Sequence, residues 1–159
     1  MPFVAGDKVV YPHHGATVID GVETQDFAGD TKEYLVLHFA DASLTLRVPQ
    51  DQAGAVGLRE VIDDDEVDDV LAVLRRRDVR MPSNWSRRYK NHAEMLKSGD
   101  VYQLAEVVRN LSRRRQEKTL SAGEQRMLQV ARQNLVSELS LVMTAAPDEV
   151  DVLLDRALA

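Results

Sequence analysis

Leu58-Arg59-Glu60-Val61-Ile62-Asp63-Asp64-Asp65-Glu66-Val67-Asp68-Asp69-Val70-Leu71-Ala72-Val73-Leu74 is where the chain changes its period. Leu58 to Ile62 is a short extended piece, the last of several. From Asp63 onward Val67, Val70, Leu71 and Leu74 recur at the spacing of one helix face. The acidic run Asp63 to Glu66 opens that helix, and Arg75-Arg76-Arg77 closes it. Both runs match the helix macrodipole and are read first as stabilising it, in preference to a Mg²⁺ site at the carboxylates.

Upstream of this switch the sequence reads as strands. Lys8 to Pro12, Ala16 to Thr24, Glu33 to Phe39 and Leu44 to Val48 are rich in Val, Ile, Thr and Tyr. They are separated by Gly29-Asp30 and by Asp41-Ala42-Ser43, the signals of a meander. In the fourth run Leu44, Leu46 and Val48 share one face, which leaves Thr45 and Arg47 on the outer one. About five short strands in about 60 residues fit a small antiparallel barrel of Tudor or SH3 type.

Downstream the sequence reads as a bundle. A helix is expected from an N-cap near Ser83 to Gly99, carrying the stripe Trp85, Tyr89, His92 and Leu96. A second starts at Asp100, with Gln103 three residues on, and buries Val101, Leu104, Ala105, Val108 and Leu111. Arg109 and Arg113 lie one turn apart on another face, where they can reach solvent together. Ser121-Ala122-Gly123-Glu124 is a full capping box and opens a third helix through Leu128, Ala131, Leu135, Leu139 and Val142. Pro147 suits the first turn of a last helix with Val150, Leu153, Leu154 and Leu158. The expected fold class is α+β in two domains: residues 1–62 a β-barrel, 63–82 a helix and connector, and 83–159 an all-α bundle.

Charge divides the same chain differently. Of 159 residues, 20 are Lys or Arg and 26 Asp or Glu, a net charge of −6. Residues 1–60, 61–80 and 133–159 carry net charges of −5, −3 and −4, whereas residues 81–132 carry +6. One block is thus suited to an anionic partner. The only tryptophan heads the basic stretch in that block, Asn84-Trp85-Ser86-Arg87-Arg88-Tyr89-Lys90. A ring among cations can wedge against bases while the cations hold phosphates; equally, the ring can be a core anchor beside a solvated face.

There is no cysteine, which excludes disulfides and thiolate chemistry. Nucleotide-binding glycine loops and hydrolase or metalloprotease signatures are missing, so no catalysis and no cofactor are expected. His13-His14 would point to opposite faces of a strand, and His38 and His92 stand alone, so no metal site is expected. Residues 1–22 contain Asp7, Lys8 and Asp20 and no long apolar run. The expectation is a cytoplasmic protein without a leader or membrane span, and a monomer, since no zipper is visible.

Six collinear segments resemble the CarD/CdnL family of bacterial transcription regulators, and its actinobacterial members most. They are Val9-Val10-Tyr11-Pro12-His13-His14-Gly15-Ala16, Lys32-Glu33-Tyr34-Leu35-Val36-Leu37, the Asn84 to Lys90 stretch, Ser98-Gly99-Asp100, Ala105-Glu106-Val107-Val108-Arg109 and Leu120-Ser121-Ala122-Gly123-Glu124. The resemblance implies a Tudor-like domain that binds the RNA polymerase β subunit, with Arg47, Thr45 and Gln25 as its contacts. It implies a helical domain at the upstream edge of the melted promoter, with Trp85 as a wedge at the minor groove. The full candidate DNA set is Trp85, Arg87, Arg88, Lys90, Arg109, Arg113, Arg114 and Gln125. Gln25 stands where the actinobacterial pattern often has Arg, and Gln125 where it often has Lys. Loss of one phosphate contact lowers the salt slope of binding by about one unit without changing the mode. The alternatives are a protein-interaction adaptor with Trp85 in the core, and a sequence-specific helix-turn-helix repressor.

Overall fold

The computed structural model describes residues 2–39 and 43–159, so Asp41 and Ala42 of the expected turn lie outside the described residues. Five strands come first: β1 Lys8–Tyr11, β2 Gly15–Phe27, β3 Asp30–Phe39, β4 Leu44–Pro49 and β5 Arg59–Glu60. Five helices follow: α1 Asp64–Arg75, α2 Trp85–Lys97, α3 Val101–Glu117, α4 Ala122–Met143 and α5 Pro147–Leu158.

The strands form one antiparallel sheet in the order β4-β3-β2-β1-β5. The five short antiparallel strands are those expected; the long β2 is shared by the ladders β2-β1-β5 and β4-β3-β2, with a register shift between Ile19 and Gly21, and no pairing joins β4 to β5 among the described residues. β5 is two residues long, and there Arg59 and the Ile62 amide both turn to Glu138 on α4. The period-two alternation holds elsewhere. Leu35, Leu37, Phe39 and Val48 are buried with Val9, Ile19, Ala53 and Leu58, while Thr45 and Arg47 face out.

Val67, Val70, Leu71 and Leu74 of α1 are buried in one cluster with the stripes of α3, α4 and α5. The helix of the 63–82 segment is therefore packed as part of the bundle. Its N-cap is Asp63, whose carboxylate accepts from the Glu66 amide. The N-cap of α2 is Asn84 and not the expected Ser83: Asn84 Oδ1 accepts from the Arg87 amide at 3.1 Å. Asp100 caps α3 through the Tyr102 amide, Ser121 caps α4 through the Glu124 amide, and Pro147 opens α5.

Sheet and bundle meet along α4. Gly15 has φ +93°, and a Cβ there would lie 2.7 Å from Ser137 Oγ, so only glycine permits this approach. Ser137 Oγ accepts from the Ala16 amide at 2.9 Å, and Lys8 Nζ donates to the Leu141 carbonyl at 3.2 Å. Arg59 grips buried Glu138 with two 2.8 Å bonds and donates a third to the Gly99 carbonyl at 2.7 Å. Among the described residues no helix is long and apolar enough to cross a membrane.

Candidate nucleic-acid interface

Trp85 occupies the first position of α2, directly after its cap. Trp85 is 46% exposed, so the reading of it as a core anchor is corrected. It is nevertheless held from behind. Its Nε1 donates to Ser121 Oγ at 3.0 Å, and its ring stacks on Tyr89 with centroids 5.2 Å apart and planes at 21°. Tyr89 in turn lies over Gly123, where an added Cβ would meet the Tyr89 ring at 3.3 Å. Small residues after the α4 cap thus let two aromatic rings stack against its first turn.

Ser121 Oγ is saturated. It accepts from Trp85 Nε1 and from the Glu124 amide, and it donates to Glu124 Oε1 at 3.3 Å. Glu124 departs from its expected capping role because its carboxylate turns to Arg88, at 2.8 and 3.2 Å. The result is a closed ring of contacts, Trp85 to Ser121 to Glu124 to Arg88 and back along α2. It joins the N-termini of α2 and α4.

Arg88 is therefore corrected as a DNA contact. It is 2% exposed, paired with Glu124, and its Nη1 donates to the Pro82 and Ser83 carbonyls. The hydrogen bonds from Arg88 hold the Glu124 carboxyl below the usual carboxylate range. Arg109 and Arg113 are corrected too. They do point the same way, but to the end of α1 and not to solvent. Arg109 is buried, bonded to Asn110 Oδ1 and to the Val73 carbonyl. Arg113 donates to the carbonyls of Leu74 and Arg76 at 2.9 Å each and of Leu158 at 3.4 Å. Arg113 thus supplies donors to carbonyls at and beyond the helix end, and Arg109 adds a second donor to the Val73 carbonyl, which also accepts from the Arg76 amide.

Arg87 and Lys90 are exposed on α2, close in sequence to Trp85. Arg114 is half-buried, and its charge also reaches Glu124. Gln125 is exposed, donates to the Leu120 carbonyl at 3.1 Å and lines a shallow 470 Å³ groove along α4 with Ala122, Arg126 and Gln129. Ser121 and Tyr89, which hold the ring, were not among the expected site residues. The capping box had already marked Ser121, but only as a helix start.

His92 sits behind the ring of contacts, fully buried, with Nε2 3.2 Å from Asn110 Nδ2. Arg109 occupies Asn110 Oδ1, so Asn110 donates through Nδ2, His92 Nε2 accepts, and the ring proton rests on Nδ1, which has no partner among the described residues. Burial lowers its pKa to about 4; Glu124 opposes the shift and Arg88 adds to it. The unfolded chain then binds a proton that the folded one refuses, so stability falls as pH drops from 6.5 toward 4. Between pH 7.5 and 5 the expected loss is about 2 kcal/mol. Urea unfolding at both values measures it, and His92→Gln is expected to remove that part of the pH dependence. An unchanged dependence in the variant would contradict the assignment.

On the outer face of the sheet, Arg47 is paired across to Val36 and Thr45 to His38, while Gln25 on β2 is paired to Lys32. Arg47 Nε contacts Glu23 at 3.0 Å, with both side chains about half exposed. Arg47 and Thr45 are exposed and Gln25 is half-buried, and all three belong to the β2-β3-β4 portion of the sheet, remote in sequence from α2.

A model of the CarD C-terminal domain matches residues 69–155, and one of the CarD-like/TRCF RID domain matches residues 3–62. The chain is 31% identical over 140 residues to the Bacillus subtilis (strain 168) protein named "Putative transcription factor YdeB", across 88% of this chain and 92% of that one. The solution NMR structure of the 72-residue N-terminal domain of Myxococcus xanthus CarD aligns at 24% identity over 37% of this chain and 79% of that chain, with a TM-score of 0.32.

Proposed function

The chain belongs to the CarD family of transcription regulators, and on that premise we propose that it rides on RNA polymerase and prolongs the life of the promoter open complex. In this reading residues 1–62 supply the address, through Arg47, Thr45 and Gln25 on the outer sheet face against the polymerase β subunit. Residues 83–159 supply a weak, sequence-nonspecific hold on promoter DNA at the upstream edge of the bubble, through Trp85 with Arg87, Lys90, Arg114 and Gln125. Arg88, Arg109 and Arg113 act from inside by fixing the backbone. Non-specific DNA affinity in the ~10⁻⁴–10⁻⁶ M range suffices, because tethering to polymerase raises the local concentration to about millimolar.

The observation that carries the reading is Trp85: a residue 46% exposed, its ring bonded at its edge to Ser121 and backed by Tyr89. An apolar wedge at a distorted base step must project and must not yield, and this ring does both. No comparable support exists for a helix-turn-helix repressor.

The polymerase half of the proposal is tested with Arg47→Glu. The Arg47–Glu23 pair is solvent-exposed, so its loss costs the fold about 0–1 kcal/mol. Capture of the variant by immobilised RNA polymerase is expected to fall about tenfold, the effect of ~1.4 kcal/mol at an interface, with the melting temperature nearly unchanged. Undiminished capture would contradict this face as the docking surface.

A further inference from the structure

The run Arg75-Arg76-Arg77 and the nearby Arg80 are exposed, and among the described residues none forms a salt bridge. Their default role is to complement the end of α1. That role is already taken: Arg113 donates to the Leu74 and Arg76 carbonyls and Arg109 to that of Val73. Among the described residues only Arg77 of the run makes a side-chain hydrogen bond, to the Ala159 carbonyl at 2.7 Å.

The connector that carries these cations is also fixed at both ends. Arg109 and Arg113 hold its start, and Arg88 holds its end through the carbonyls of Pro82 and Ser83. Buried or half-buried guanidiniums thus anchor the backbone while exposed ones project from it. The anchored track ends immediately before Asn84, the cap of the helix that presents Trp85. Like charges are crowded along it: Arg109, whose pKa is lowered chiefly by burial, is lowered further by Arg76 and Arg113, with Glu106 opposing. Asp78 is the only acidic side chain between Arg75 and Trp85. An anion would relieve this repulsion.

We propose that the connector from Arg76 to Arg80 is a second DNA-backbone contact, continuous with the Trp85 site and directed at duplex phosphates next to the melted edge. The inference rests on the DNA-facing reading of Trp85. The stretch from Arg76 to Trp85 spans at most ~30 Å, which at ~3.4 Å per base step reaches at most about nine steps into the duplex. Trp85 would meet the distorted edge, and the arginines the regular helix behind it.

The test is fluorescence anisotropy with a labelled fork-junction DNA, duplex at one end and unpaired at the other. Wild type, the triple variant Arg76→Gln/Arg77→Gln/Arg80→Gln, and Trp85→Ala are titrated to ~10⁻⁴ M at several salt concentrations between 50 and 200 mM. The triple variant is expected to lose about two to three units from the slope of log K against log salt, roughly 0.9 per phosphate contact. Trp85→Ala is expected to weaken binding with its slope within about one unit of wild type. Melting curves check that both variants are folded. A wild-type slope in the triple variant overturns the connector contact while leaving the Trp85 reading in place. So does an unchanged slope accompanied by weaker capture on polymerase, which would make the connector a protein contact. No measurable salt-dependent binding by wild type would overturn the DNA reading of Trp85, and the connector with it.

Discussion

Glu124→Ala is expected to destabilise the protein by about 3–5 kcal/mol, because it leaves Arg88 buried without its counter-ion. For a chain of this size that lowers the melting temperature by roughly 10 °C. Arg88 is 2% exposed, and the Pro82 and Ser83 carbonyls that it would retain cannot neutralise it. The damage extends to the surface. Glu124 is the acceptor for Ser121 Oγ, and Ser121 holds Trp85. Emission from the single tryptophan is therefore expected to shift and become more quenchable in the variant under conditions where it is still folded. The double change Arg88→Met/Glu124→Leu, which replaces a buried pair by apolar side chains of similar size, is expected to recover most of the lost stability. It would not restore the Ser121 contact. Thermal unfolding of the two variants reads the first effect and fluorescence quenching the second. A Glu124→Ala melting temperature within about 2 °C of wild type would contradict the buried-pair account.

The pair also shows where sequence reasoning stops. Arg87, Arg88 and Lys90 are adjacent cations of one basic stretch, yet only Arg88 turns inward. A buried arginine requires a partner, and the partner lies 36 residues away on another helix. The helical period puts Arg109 and Arg113 on one face and predicts that it is exposed. Their shared direction was legible from the helical period, but its target was not, because the carbonyls at the end of α1 come from a segment packed in three dimensions. The same holds for the sheet. Strand identity followed from local alternation, whereas the anchoring of β5 to the bundle depends on Glu138, which is 79 residues from Arg59. Local rules worked best where the cause is local: the change of period at Asp63, the cap at Ser121 and the proline at the start of α5. Trp85 falls between these cases. Its place in the first turn was readable, whereas its hold on Ser121, 36 residues away on another helix, was not.

The other large effect is expected from Trp85→Ala at the promoter. The substitution removes a half-exposed ring and one stacking contact with Tyr89, worth about 0.5–1.5 kcal/mol, so the bundle core persists. The wedge is lost outright. Partial unstacking of a base step involves a few kcal/mol, and each ~1.4 kcal/mol no longer contributed shortens the complex's life about tenfold. Polymerase capture through Arg47 on the sheet should be unaffected, since the sheet's outer face and α2 share no residue. The decisive measurement is the half-life of the promoter open complex, challenged with a competitor, at equal polymerase occupancy by wild type and Trp85→Ala. The account predicts a half-life prolonged by wild type and at least about tenfold shorter with the variant; equal half-lives with the two proteins would contradict it.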